Sequence, residues 1–233
     1  MKPKRQRWYK IQFKSSLAEI IDTIIETPYN EDNTIGFELI ETSKSHFTAR
    51  YIEQYDNIEE LHHPFGEVEE IKTVKYIIFN FDIIYLKKGI SAVKIINPPV
   101  SLKGFVKKLT EICNNELYIS RVYFDIEKLY EEIKINPSVN RYTVNKLKVS
   151  SIQFSEKTTA KLSLNSLDNA YEEFKKKYKN RQFKLEKMYL NARVKGESEL
   201  IKLSSSGLIF CTAGFDDIIE KYIVDILKTD SDS

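Results

Sequence analysis

The sequence predicts an α+β fold: a large curved antiparallel sheet with helices on one face, built as two related halves. Three observations carry this reading. The composition leans on 29 Ile, 14 Tyr and 13 Phe against 7 Gly and 6 Pro in 233 residues, a β-branched and aromatic bias that suits half-buried pleated surfaces. Period-two alternation of apolar and polar residues recurs in short runs separated by turn residues. The order strand, helix, several strands, helix is met twice. With 42% hydrophobic and 30% charged residues, the chain can bury a sizeable core, which excludes a disordered or collagen-like polymer.

The first half is expected over residues 1–116. Trp8 to Phe13 alternates as an opening strand. Ser15-Ser16 then offers a serine N-cap to a helix carrying Ile20, Ile21, Ile24 and Ile25, which Thr27-Pro28-Tyr29-Asn30 stops. Gly36 to Glu41, His46 to Gln54, Val74 to Ile84 and Ser91 to Ile96 read as a meander, with Lys87-Lys88-Gly89 turning the last two. Asn97-Pro98-Pro99 breaks the chain before a helix over 101–113, whose stripe is Leu102, Phe105, Val106, Leu109 and Ile112. Residues 117–145 form a connecting segment, with the apolar stretch Tyr118 to Phe124 and a helix from Asp125 to Ile135.

The second half spans 146–228. Lys146 to Phe154 and Lys161 to Leu164 are its first strands. A helix from Ser166 through Tyr178 presents Leu167, Ala170, Tyr171 and Phe174 on one face. Strands come next at Phe183 to Lys195, Glu199 to Ser204 and Leu208 to Thr212, turned at Gly196 and at Ser205-Ser206-Gly207. The closing helix, Phe215 to Leu227, carries the stripe Phe215, Ile218, Ile219, Tyr222, Ile223 and Ile226. Residues 229–233 are expected to be a disordered tail.

Formal charge is only +2, but its distribution is polarised. Residues 51–70 hold seven acids and no base, whereas residues 141–195 hold fourteen bases against five acids. The first fourteen residues add six bases and no acid. Cys113 and Cys211 have no partner spacing, so neither a disulfide framework nor a cysteine zinc site is written here. No run of eighteen apolar residues occurs, and a cytoplasmic protein without a membrane partner is expected. The abundance of Ile, Lys and Asn, whose codons are A/T-heavy, predicts a low-GC bacterial, phage or plasmid source, with a defence system one setting.

Three sets of residues carry chemistry. The basic run Lys175, Lys176, Lys177, Lys179 and Arg181 continues through Lys184, Lys187, Tyr189, Arg193 and Lys195. Such a patch would neutralise phosphates and release counterions, and its interleaved aromatics would stack unpaired bases. The alternative is a solvated helix end, where cations favour the C-terminal dipole. His62 and His63, beside Glu67, Glu69 and Glu70, are the most concentrated metal-ligand types, although adjacent side chains on an extended chain point opposite ways. A solvated acidic loop between two strands is the plainer account. Asp56, Glu70 and Lys72 imitate the carboxylate and lysine core of metal-dependent nucleases, a pattern that also arises by chance in a charged chain. Serine elbows, phosphate-cradling glycine loops and dinucleotide turns are absent, and no cofactor is expected.

The stretch Glu199-Leu200-Ile201-Lys202-Leu203-Ser204-Ser205-Ser206-Gly207-Leu208-Ile209-Phe210-Cys211-Thr212-Ala213-Gly214, followed by a helix, resembles the end of a half-repeat of the TATA-box-binding protein. The resemblance implies a curved antiparallel sheet under a long helix. Where that family wedges a phenylalanine between base steps this chain has Ser204, and Ala213-Gly214 replaces the usual Gly-Ala, so TATA-type kinking is not carried over. The expected function is a non-enzymatic nucleic-acid-binding or accessory protein. The alternatives are a protein-interaction or self-association module, acting through the sheet or the acidic 51–70 loop, and a metal-dependent nuclease.

Overall fold

A computed structural model describes residues 2–66, 68–87, 89–179 and 181–229. It is α+β, with eleven strands of antiparallel sheet and five α-helices among the described residues. The chain divides into two compact units: residues 11–119, and the residues up to Lys10 together with those from Ser120 onward. The first strand, β1 (Lys4–Gln12), begins in the second of these and ends in the first.

Within residues 11–119 the elements are α1 (Leu17–Ile25), β2 (Ile35–Thr42), β3 (His46–His62), β4 (Val68–Lys87), β5 (Ile90–Ile96) and α2 (Lys103–Ile112). The strands lie in the order β2-β3-β4-β5. Helix α1 starts on a capping box: the Glu19 amide donates to Ser16 Oγ at 3.2 Å and the Ser16 amide to Glu19 Oε2 at 2.7 Å, which satisfies two donors that helix geometry leaves without partners. Its buried face is Leu17, Ile20 and Ile24, while Ile25 is exposed. At Gly36 a Cβ would meet the Tyr29 backbone nitrogen at 2.3 Å, so only glycine admits the bridge that sets Pro28 beside Phe37. The core is aromatic. Phe105 of α2 packs its ring 5.4, 5.2 and 5.0 Å from Tyr51, Phe79 and Phe81, and all four are buried.

Residues 51–62 and 68–70 of the acidic segment are strand, not the loop that its charge suggests. β3 and β4 pair without a break from His46↔Ile84 to His62↔Val68, far beyond the expected ends at Gln54 and Val74. Hydrogen bonding along the ladder tolerates polar side chains on both faces, so strand continues after the apolar alternation has faded. The turn is confined to residues about His63–Gly66, where the Gly66 amide donates to the His63 carbonyl at 3.0 Å. Lys88 of the expected Lys87-Lys88-Gly89 turn lies outside the described residues.

The other unit contains the start of β1, the end of β6 (Tyr118–Arg121) and the later elements α3 (Ile126–Ile135), β7 (Val139–Ser155), β8 (Thr158–Asn165), α4 (Ala170–Lys177), β9 (Lys184–Val194), β10 (Glu197–Ser204), β11 (Leu208–Cys211) and α5 (Asp216–Thr229). Its sheet runs β1-β11-β10-β9-β7-β8. Helices α3 and α4 pack on β7, and α3 also meets β9 and α5. Alternation in the strands turns Leu147, Val149, Met188, Leu190, Ile201, Leu203 and Ile209 to the buried side. Buried Gln6 donates through Nε2 to Asp216 Oδ1, which ties β1 to the first turn of α5. Gly207 closes the β10–β11 turn at φ +78°, a left-handed backbone that glycine adopts without steric cost.

Helix α4 begins three residues later than its sequence pattern suggests. Asn169, not Ser166, is the N-cap and accepts from the Tyr171 and Glu172 amides at 3.1 and 3.2 Å. Ser166 instead donates to Glu173 Oε1 at 2.8 Å and accepts from the Asp168 amide. Leu167, expected on the packed face, is fully exposed as a result. Residues 230–233 of the expected tail lie outside the described residues. No helix among the described residues is long and apolar enough to cross a membrane.

Candidate functional site

Burying one face of β1, β11, β10, β9 and β7 under helices leaves their alternate residues on the opposite, open face. Register determines which of those residues meet. Arg5 pairs with Phe210, Phe210 with Lys202, Lys202 with Tyr189, and Tyr189 with Lys146. One row across five strands therefore alternates cation and aromatic ring. Lys202 Nζ lies 4.6 Å from the Phe210 ring centre and 5.5 Å from that of Tyr189, and Lys146 Nζ lies 5.8 Å from Tyr189. Attraction between ammonium groups and ring faces holds the lysine stems along the sheet.

A second row adjoins the first. Ser204 pairs with Lys187, and Lys187 with Lys148, while Arg7 pairs with Leu208 further along. A groove of about 480 Å³ runs over both rows, with Arg5, Lys184, Lys187, Tyr189, Lys202 and Phe210 in its lining. One carboxylate, Glu186, also lines it. Arg7 Nε is enclosed without a hydrogen-bond partner among the described residues, an arrangement that costs free energy unless an acceptor arrives. Ser204, at the place the resemblance gives to a wedge, lies 2.9 Å from Ser206 Oγ across the turn. Chemically the face offers fixed positive charge, flat apolar rings and a hydroxyl, which together suit an anionic ligand with planar parts.

The basic run foreseen in the sequence is divided between two places. Lys184 and Lys187 line the groove with Tyr189, and Arg193, four residues on in β9, shares that face by alternation. Lys175, Lys176 and Lys177 form the last turn of α4. Lys175 reaches Glu127 at 3.6 Å and lies over the Tyr171 and Phe183 rings. Lys179 is exposed beyond the helix. The Arg181 guanidinium stacks 4.1 Å from the Phe154 ring and donates to the Gln153 carbonyl. Lys195, before the Gly196 turn, meets Asp217 at 3.6 Å. Arg5, Lys146, Lys202 and Phe210, which complete the row, stand in none of the three candidate sets, although Lys202 and Phe210 lie in the stretch that carries the resemblance. Alternation puts each on a polar face, but their meeting depends on register.

The remaining candidates lie on the β3–β4 hairpin. His62 Nε2 is 3.6 Å from Glu60, and His63 Nε2 is 3.5 Å from Glu69, so the two imidazoles serve different carboxylates. Glu67 is outside the described residues, and no group of three metal-ligating side chains occurs among those described. Asp56 pairs with Val74, Lys72 with Ile58 and Glu70 with Glu60. These three share a face, but Asp56 and Glu70 stand four ladder steps apart, roughly 13 Å at about 3.4 Å per residue, too far to grip one cation. No protein-family model matches the chain, and no curated protein aligns with it closely enough to show a relationship.

Proposed function

We propose that the chain is a non-enzymatic nucleic-acid-binding or accessory protein whose ligand lies along the open face of β1, β11, β10, β9 and β7. The row Arg5, Phe210, Lys202, Tyr189, Lys146 carries this reading. Phosphates would meet the guanidinium and ammonium groups, and bases would displace the lysines from the ring faces of Tyr189 and Phe210. A second feature supports kinship between the halves. β1, α1, four strands and α2 are followed later by β7, β8, α4, three strands and α5, nearly the same order, as a duplicated curved sheet of the TATA-box-binding type would have.

Fluorescence anisotropy with single- and double-stranded DNA and RNA, beginning near roughly 50 mM salt where phosphate contacts are strong, tests the proposal. Binding should weaken as salt is added. Lys146→Glu with Lys202→Glu should reduce it more than tenfold, and Lys176→Glu with Lys179→Glu much less. Absence of salt-sensitive binding at the low-salt end would remove the reading.

A further inference from the structure

Beyond Glu53, the last residue that β2 reaches, β3 is paired among the described residues only with β4, apart from the Gln54 amide bond to the Thr34 carbonyl at the base. β4 in turn receives β5 only from Phe81 onward. The nine pairs from Gln54↔Tyr76 to His62↔Val68 thus form a free two-stranded arm, about 30 Å long at about 3.4 Å per residue. A lone hairpin is marginal in water and offers open edges to other chains.

One face of the arm, in the register of Ile52↔Ile78, carries Ile58, Val68, Val74, Tyr76 and Ile78. Each is 52–57% exposed. An apolar stripe of this kind marks an interaction surface. Among the stripe and on the reverse face stand Asp56, Glu59, Glu60, Glu69 and Glu70. Only Lys72 and Lys75 oppose them, and Lys75 is already held by Glu59 at 2.7 Å. Two such arms laid together would set carboxylates against carboxylates. The surface that fits the arm is basic with apolar spots, and the chain carries one: Lys146, Lys148, Lys187 and Lys202 around Leu208, Tyr189 and Phe210.

We propose that the arm of one molecule docks on the basic open face of a second copy. The contact joins two different surfaces, so two copies close into a pair where each arm reaches the other's face, and otherwise the contact grows chains or rings. It rests on the charge and shape of the face and not on the nucleic-acid reading, but a nucleic acid on that face would compete with the arm.

Sedimentation velocity on the full chain across micromolar concentrations tests this, at about 0.1 M and about 1 M salt, between which the Debye length falls from about 10 Å to about 3 Å. The expected result is a mass that rises with concentration at low salt to at least twice the monomer and returns to monomer at high salt. Glu59→Lys/Glu60→Lys/Glu70→Lys, reversing the arm, and Lys146→Glu/Lys187→Glu/Lys202→Glu, reversing the face, should each stay monomeric alone. Mixed, they should associate again, because each then meets an opposite charge, and misfolding would not restore that. A wild-type monomer at every concentration, association that survives either reversal, or a silent mixture overturns the proposal. The arm-reversed variant keeps the basic face, so its anisotropy signal with nucleic acid reports on that reading separately.

Discussion

Replacing Lys202 by Gln removes one positive charge at the centre of the row while keeping a stem that can lie over Tyr189 and Phe210. Of the cations that line or adjoin the groove, we take as the set that one bound strand meets the three of the row, Arg5, Lys146 and Lys202, with Lys187 beside them. If each neutralises one phosphate of a single strand, the logarithm of affinity falls with that of salt at a slope of about −2.8, so affinity drops about 50-fold from 50 to 200 mM. With three cations the slope becomes about −2.1, the same salt step costs about 18-fold, and binding at 50 mM is about eightfold weaker. Anisotropy titrations at four or more salt concentrations measure both quantities. Lys176→Gln, at the end of α4, is the control and should leave the slope unchanged. A Lys202→Gln protein with the wild-type slope would mean that this ammonium meets no phosphate, and the row would lose its role.

Two further outcomes rest on packing and ionisation. Phe105 is 1% exposed and touches three other rings, so Phe105→Ala should cost about 3 to 5 kcal/mol, read as a lowered urea midpoint at constant slope; a loss below about 1.5 kcal/mol would mean that the cluster closes over the gap. Burial, aided by nearby carboxylates, pushes the phenols of Tyr130 and Tyr222 up to about 12. Their folded values exceed the unfolded one near 10, so the stability they contribute is complete below pH 10 and is lost as pH rises from 10 to 12. Thermal midpoints should fall across that window, less steeply in Tyr130→Phe and Tyr222→Phe, and a flat profile would contradict the assignment.

Strands with one buried face were legible because burial imposes a period of two: β5, β9, β10 and β11 lie within two residues of their expected bounds. The distal arm was not, since no core selects the side chains of residues 55–62 and 68–73, and a strand held by backbone bonding alone leaves little pattern. The start of α4 was misplaced because Ser166 and Asn169 are both good caps, and Ser166 found another partner in Glu173. The candidate site was half legible. Charge counting found Lys184, Lys187 and Tyr189, yet joined them to α4 lysines that the fold keeps elsewhere. Arg5 could not be added from sequence, because its neighbour Phe210 is supplied by a strand at the far end of the chain.

That last pairing also bears on how the molecule is made. Lys4 to Arg7 join Cys211 to Leu208, so roughly 200 residues must be synthesised before these partners coexist, and closure over so long a loop is slow. Residues 11–119 form an unbroken stretch whose contacts can all gather while translation continues. β1 also neighbours β5 and β6, which come much earlier than β11, so it is the β11 side of its edge that stays open while the chain between them is made. An open strand edge invites pairing with other chains, so covering the β11 side of β1 until β11 is made should raise the soluble yield.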